Sequence, residues 1–125
     1  MSVVYDAGVL VAADRSDREV WADHRVRLEL GVSPLTTAPV VAQVSRTGRQ
    51  AQLRRFLRGC DIVPFASPEA HDVGALAGKS ASSDVVDVHL MIVAYQHGFG
   101  VITGDEGDLR PIADALPTAV AIFRL

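Results

Sequence analysis

Residues 2–8 read SVVYDAG, a short apolar run that ends in a carboxylate followed by two small residues. The run predicts a buried strand at 3–5 that carries Asp6 to its carboxyl end. In open α/β sheets, ligands bind at this end of the strands. The opening of the chain therefore predicts both an α/β fold and the first residue of a functional site.

Acidic residues recur at the ends of two later segments. Residues 101–105, VITGD, repeat the pattern of an apolar strand followed by an acid, and Asp108 lies just beyond. Asp84 and Asp87 open a predicted helix at 84–97. Carboxylates that are far apart in sequence but lie at element ends favour one acidic site. Such a site offers the oxygen ligands that Mg²⁺ or Mn²⁺ prefers.

Helix capping is the alternative explanation for four of these acids. An Asp at a helix N-terminus accepts hydrogen bonds from free backbone N–H groups. Asp84 with Asp87, and Asp105 with Asp108, have a spacing that such caps also use. Capping is not expected to explain Asp6, because a strand precedes it. The two functions are compatible, since a helix N-terminus holds a carboxylate in a fixed position.

Short apolar runs alternate with helical patterns along the chain. Strands are predicted at 3–5, 62–65, 101–103 and 119–123, and a short extended piece at 35–37. The helices between them include 84–97 and 109–116. This alternation favours a parallel sheet covered by helices on both faces.

Composition limits the function classes. The 125 residues, 49% of them hydrophobic, suffice for one domain spanning 1–125. A net charge of -3 neither indicates nor excludes a nucleic-acid partner. Cys60 is the only cysteine, which excludes an internal disulfide and suits a reducing cytoplasm. Without a long apolar run or a basic signal-peptide start, a cytoplasmic protein with no membrane contact is expected.

Four motifs, in their order along the chain, resemble the PIN-domain family and, within it, VapC-type ribonuclease toxins of toxin–antitoxin pairs. The motifs are VVYDAG at 3–8, TAPVVAQV at 37–44, SDVVDVHL at 83–90 and ITGDEGDL at 102–109. The resemblance covers essentially the whole chain. It implies a PIN-like three-layer α/β/α sandwich with a parallel five-stranded sheet in the order 3-2-1-4-5.

The same resemblance implies an activity and partners. The activity is Mg²⁺- or Mn²⁺-dependent cleavage of an RNA substrate, and the partners are a cognate antitoxin and a second copy of the chain in a homodimer. The residues that match the family's catalytic, metal-binding positions are Asp6, Asp87 and Asp105. Asp84 and Asp108 match accessory acids of the metal site.

Gln43 departs from the family pattern, which has a glutamate at this position. An amide oxygen can still bind a hard cation or hold a water, but it carries no charge and cannot act as a base. Asp84 could compensate, which would give an active enzyme with altered metal demand. Otherwise the protein would be a non-catalytic PIN-like module that binds RNA or protein.

Five arginines lie between residues 31 and 60, a segment without any Asp or Glu. Among them, Arg46, Arg49 and Arg54 are expected to contact RNA, because the guanidinium group pairs well with phosphate. A solvated helix face, or docking to an acidic partner surface, would explain the same cluster.

Two further polar residues lie near the predicted acids. The Thr103 hydroxyl, two residues before Asp105, is expected either to hold a metal-bound water or to pack within its strand. His89 follows Asp87 by two positions and should point away from it, so a surface or packing role is expected.

A third function class is an unrelated phosphate-handling α/β protein, such as a receiver domain or a phosphohydrolase. Asp6 lacks the second acid of an Asp-x-Asp motif, and the chain has no glycine-rich Walker loop. The sequence therefore favours the metal-dependent ribonuclease over this class.

Overall fold

Five short parallel strands form the centre of the computed structural model, in which residues 2–125 are described. The strands are β1 (Val3–Tyr5), β2 (Leu35–Thr37), β3 (Asp61–Val63), β4 (Gly100–Thr103) and β5 (Ile122–Arg124). Their order in the sheet is β3-β2-β1-β4-β5, and every neighbouring pair is parallel. The predicted sheet order is confirmed.

Seven α-helices and one 3₁₀ turn (Ser67–Glu69) connect the strands. The helices are α1 (Ala7–Asp14), α2 (Arg18–Glu29), α3 (Ala38–Val44), α4 (Ala51–Leu57), α5 (Ala70–Ser80), α6 (Val85–His97) and α7 (Glu106–Asp114). None of the helices in this part of the chain has the length and apolar character that a bilayer crossing requires.

The helices form two groups. The chain builds β1, β2 and β3 outward in one direction and then returns to add β4 and β5 on the other side of β1. Right-handed crossovers therefore place α1–α4 on one face of the sheet and α5–α7 on the other. In agreement, α1 packs against α3 and α4, whereas α6 packs against α5 and α7.

The core is deepest around β1 and α6. Consecutive residues of β1, Val4 and Tyr5, are both buried, which requires that both faces of this strand be covered. All residues of α6 from 88 to 94 are buried as well, so this helix is surrounded on all sides. The first acid of the candidate site thus follows a strand that is covered on both faces.

Two predicted boundaries near the C-terminus are wrong. The helix predicted at 109–116 begins at Glu106, because Asp105 rather than Asp108 is its N-cap residue. The strand predicted at 119–123 lies at 122–124, because Ile122 and Phe123 pair with β4 while Ala121 only accepts a hydrogen bond from Val101. The apolar run 119–121 belongs to the approach to the strand.

The register of β1 against β4 positions the site. Val4 is opposite Val101 and Tyr5 is opposite Ile102. The Asp6 N–H then donates to the Ile102 carbonyl at 3.0 Å. This pairing brings Asp6 beside Thr103 at the carboxyl end of the sheet.

Candidate functional site

Asp6 is buried, with only 6% of its surface exposed, and both of its carboxylate oxygens are hydrogen-bonded. The backbone N–H of Ala7 donates to Oδ1 at 2.7 Å, and the hydroxyl of Thr103 donates to Oδ2 at 2.6 Å. Asp6 is the N-cap residue of α1, so the expectation that capping would not involve it was wrong. β1 leads directly into α1, because Asp6 follows the last residue of β1 and is the N-cap residue of α1.

Thr103 connects two of the predicted acids. Its side chain is fully buried, and its hydroxyl donates to Asp6 while accepting a 2.8 Å hydrogen bond from the Asp105 N–H. The hydroxyl therefore fixes the Asp6 carboxylate and the start of the loop that carries Asp105. This role is more specific than packing within the strand. Because the hydroxyl has a single proton and donates it to Asp6, Thr103 has none left to donate to a bound water.

Tyr5, which precedes Asp6, is held by a second buried network. The Arg27 guanidinium donates to the Tyr5 hydroxyl at 3.3 Å, which leaves the tyrosine proton for His24 Nδ1 at 3.0 Å. Burial raises the pKa of Tyr5 to about 12 and lowers the pKa of His24. Sequence patterns did not reveal this network, because its members are distant in the chain and no motif links them.

Asp84 caps α6, as the capping alternative predicted. Its Oδ1 accepts hydrogen bonds from the N–H groups of Val86 at 3.0 Å and Asp87 at 3.1 Å. A cap of this kind contributes about 1 kcal/mol to stability. The same contacts hold the exposed Asp84 carboxylate beside Asp87.

Asp105 and Asp108 lie at the start of α7. Asp105 is its N-cap residue, yet the Asp105 side chain makes no capping hydrogen bond. Asp108 lies within the first turn of the helix, so the interpretation of Asp108 as its cap was wrong. Both side chains are exposed.

The electrostatics of Asp87 show that the acids from all three segments are near one another. The pKa of Asp87 is raised from 3.8 to about 7, chiefly because its carboxyl is half-buried. The negative charges of four carboxylates raise this pKa further, in decreasing order Asp84, Asp6, Asp108 and Asp105. Nearby like charges disfavour ionisation of a carboxyl group. The structure therefore brings together the five acids predicted from the sequence.

The five acids do not form a compact ligand shell. Across residues 2–125, no three His, Cys, Asp or Glu side chains converge closely enough to hold a metal ion. The donor set nevertheless fits a hard divalent cation, because it consists of carboxylate oxygens. A bound cation would also relieve the repulsion that raises the pKa of Asp87. Beside the cluster lies an open cavity of about 360 Å³, which Asp84, Asp87 and Asp108 help to line.

Gln43 lies near the end of α3, with its side chain exposed. This helix begins at Thr37, whose hydroxyl accepts a hydrogen bond from the Val40 N–H at 3.3 Å. Six residues separate the cap from Gln43, a rise of about 9 Å along the helix. Gln43 makes neither of the hydrogen bonds that hold the Asp6 carboxylate.

The predicted RNA-binding arginines lie away from the acids. Arg46, Arg49 and Arg54 are exposed in and around the turn that joins α3 to α4. In the same turn, Gln50 donates to Asp14, the last residue of α1, at 3.1 Å. Asp6 lies at the other end of this eight-residue helix, about 12 Å away along its axis. Within residues 2–125, the two ion pairs both involve Glu106, so these arginines have no acidic partner.

Solved structures of other proteins share this fold. VapBC2 from Rickettsia felis, bound to a promoter DNA fragment, matches with a TM-score of 0.72 and 13% identity, over 100% of this chain and 99% of that one. FitAB bound to the IR36 DNA fragment matches with a TM-score of 0.65 and 19% identity, over 98% and 94% of the two chains. PAE2754 from Pyrobaculum aerophilum matches with a TM-score of 0.62 and 16% identity, over 97% of this chain and 92% of that one.

No protein-family model matches the sequence, and no curated protein sequence is significantly similar to it. At 13–19% identity, the matches to solved structures establish the fold. The chain has the PIN-like α/β/α fold with the sheet order 3-2-1-4-5.

Proposed function

We propose that this protein is a Mg²⁺- or Mn²⁺-dependent endoribonuclease and the toxin of a VapBC-type toxin–antitoxin pair. The observation that carries the proposal is the placement of acids from three chain segments: Thr103 joins Asp6 to the backbone of Asp105, and Asp84, Asp87 and Asp108 line one cavity. The PIN-like fold and the whole-chain similarity to VapBC2 and FitAB support it.

The chain's own residues prepare this site before any ligand binds. Ala7 and Thr103 fix both oxygens of Asp6, so this carboxylate does not have to reorganise during the reaction. Asp87 is half-buried among like charges, which raise its pKa, so a cation bound nearby would favour its ionised form. The exposed Asp105 and Asp108 complete the cluster on the side that faces solvent.

Asp6, Asp87 and Asp105 would hold the divalent cation, with Asp84 and Asp108 as accessory acids. When bound, the cation neutralises charge on the scissile phosphate and lowers the pKa of a water molecule. Thr103 acts as a positioning residue in this arrangement, because it touches Asp6 and the backbone of Asp105.

A cleavage assay tests the proposal. Single-stranded RNA is incubated with the purified protein in Mg²⁺, in Mn²⁺ and in EDTA. Cleavage with either cation and none in EDTA is the expected result. RNA binding without cleavage in any of the three buffers would instead identify the protein as the non-catalytic module that Gln43 suggests.

The substitution Gln43→Glu is expected to tighten Mn²⁺ binding and to raise cleavage, most clearly at low Mg²⁺. It restores a negative charge at the position where the family pattern has a glutamate. Titration calorimetry with Mn²⁺ measures the effect. Gln96→Glu, an exposed site near the end of α6, is the matched control. Equal affinities for the wild type and Gln43→Glu would place Gln43 outside the metal site.

Arg46, Arg49 and Arg54 are proposed to contribute to RNA affinity more than to chemistry. Changing all three to Ala is expected to flatten the log–log salt dependence of binding by about one unit per lost phosphate contact. Fluorescence anisotropy at several salt concentrations measures the slope. The control is the triple Ala variant of Arg15, Arg18 and Arg25, which are also exposed. Identical slopes in the wild type and the first variant would assign the three arginines to a solvated face.

A cognate antitoxin and a homodimer complete the proposal. The two similar structures bound to DNA, FitAB and VapBC2, motivate the antitoxin. An arginine from such a partner could pair with the acid cluster and displace the cation. Co-expression with the neighbouring reading frame, followed by size-exclusion chromatography, is expected to yield an inactive complex containing a dimer of this chain. A monomer that neither co-purifies with a partner nor slows growth alone would contradict the toxin role.

A further inference from the structure

Phe65 lies on the same edge of the sheet as the acids. It follows the end of β3 by two residues, and parallel strands have their carboxyl ends at one edge. In the sheet, β3 is two strands away from β1, which is about 10 Å at the usual strand spacing. Phe65 is therefore beside the site but outside the acid cluster.

One face of the Phe65 ring is covered by a buried imidazole. The rings of Phe65 and His89 stack with their centroids 4.6 Å apart and their planes at 17°. His89 is 1% exposed, whereas Phe65 remains 36% exposed. The stack on His89 therefore leaves part of Phe65 accessible to a ligand. Packing, one of the two roles expected for His89, is the one found.

His89 is enclosed beneath this stack. Burial lowers the pKa of His89, and the charge of Glu69 and the neighbouring Pro64 backbone oppose that shift. Among residues 2–125, its buried Nδ1 has no hydrogen-bond partner. An aromatic ring that packs on a buried side chain has less rotamer freedom to lose, which would lower the entropic cost of binding to Phe65.

The same turn of α6 links this ring to the acids. His89 follows Asp87 by two residues and Val85 by four, so Val85 lies on the same side of the helix as His89. Val85 is 50% exposed. Val85 therefore adds exposed apolar surface next to Asp84.

We propose that Phe65 stacks on a base of the RNA strand whose phosphate lies at the acid cluster. The proposal rests on the ribonuclease function proposed above and adds a base-binding subsite to it. Carboxylates repel phosphate, and the exposed arginines lie toward the far end of α1. An uncharged aromatic ring binds RNA through its bases rather than its phosphates. Such stacking tolerates any base sequence.

The test compares three variants in steady-state cleavage of a short single-stranded RNA. Phe65→Ala is expected to raise KM roughly 10-fold with little change in kcat, the size of one lost base–aromatic stack. Phe65→Trp should retain the wild-type KM. Phe123→Ala is the matched control, because Phe123 is also exposed but lies in β5, the outer strand on the side of the sheet away from β3. This variant should also retain the wild-type KM.

A spectroscopic readout tests stacking directly. Trp21 is the only tryptophan, so Phe65→Trp in a Trp21→Phe background carries one fluorophore at the proposed subsite. Its emission is expected to be quenched by the RNA and not by an abasic oligonucleotide of the same length. Equal quenching by the two oligonucleotides would contradict base stacking.

Further outcomes distinguish a failure of the base-binding subsite from a failure of the ribonuclease function. RNA cleavage with an unchanged KM in Phe65→Ala overturns the subsite and leaves the ribonuclease function standing. A loss of molecular mass by light scattering in Phe65→Ala assigns the ring to a subunit contact instead. Wild-type protein that neither binds nor cleaves RNA overturns the function and the subsite together.

Discussion

Asp6→Asn is expected to fold normally and to lose RNA cleavage by at least the roughly 10–100-fold that changes around metal ligands cause. Asparagine has the same shape and is an equally good N-cap residue, so α1 should be retained. The substitution removes a negative charge from the buried centre of the acid cluster. It also removes one of the two acceptor oxygens, so the Thr103 proton or the Ala7 N–H loses its partner.

Cleavage rates and circular dichroism at matched cation concentrations measure these two expectations. Asp114→Asn, an exposed acid at the last residue of α7, is the control and should cleave RNA at the wild-type rate. A normal cleavage rate in Asp6→Asn would exclude Asp6 from the metal site.

Asp87→Asn is expected to stabilise the folded protein at pH 8 in EDTA. The pKa of Asp87 rises from 3.8 to about 7 on folding, so the folded state prefers the neutral form. Below about pH 4 the Asp87 carboxyl is neutral in both the folded and the unfolded state, and folding is not penalised. As pH rises from 4 through about 7, ionisation of Asp87 favours the unfolded state, and the free energy of unfolding falls. The full shift corresponds to an upper limit of about 4 kcal/mol, and solvent screening of the half-exposed carboxyl reduces it to about 1–2 kcal/mol.

Urea unfolding of the wild type and of Asp87→Asn, at pH 4 and at pH 8, measures the difference in the free energy of unfolding. The variant should be more stable than the wild type at pH 8, and this advantage should shrink toward pH 4. Adding Mn²⁺ should stabilise the wild type more than the variant, because the cation binds only the folded acid cluster. An identical difference at both pH values would contradict the electrostatic origin.

The sequence predicted the central strands well and the C-terminal elements poorly. Residues 3–5 were placed correctly, because a strand covered on both faces consists of a short apolar run bounded by polar or small residues. The extended piece at 35–37 is β2, although two of its three residues are threonines. The edge strand β5 was misplaced, since its apolar approach at 119–121 resembles a strand and only pairing with β4 determines the register. The predicted start of α7 was too late, because either Asp105 or Asp108 could have been its N-cap residue.

The acids of the candidate site were predicted, but the interactions that hold them were not. Each acid lies at an element end, which is a local feature of sequence. The hydrogen bond from Thr103 to Asp6 and the stack of Phe65 on His89 join residues that only the folded chain brings together. Local patterns cannot reveal such contacts, because they depend on strand order and register.

The contact between Asp6 and Thr103 has a consequence for how the protein is made. These residues are 97 positions apart, so a ribosome synthesises Asp6 roughly 5–20 s before Thr103. Until then β1 lacks β4 as a neighbour, and one of its edges stays open. The nascent chain contains the first acid without the hydroxyl that orients it and without Asp105. A product that terminates before residue 100 would lack both Thr103 and Asp105, so under the proposed function it would not cleave RNA.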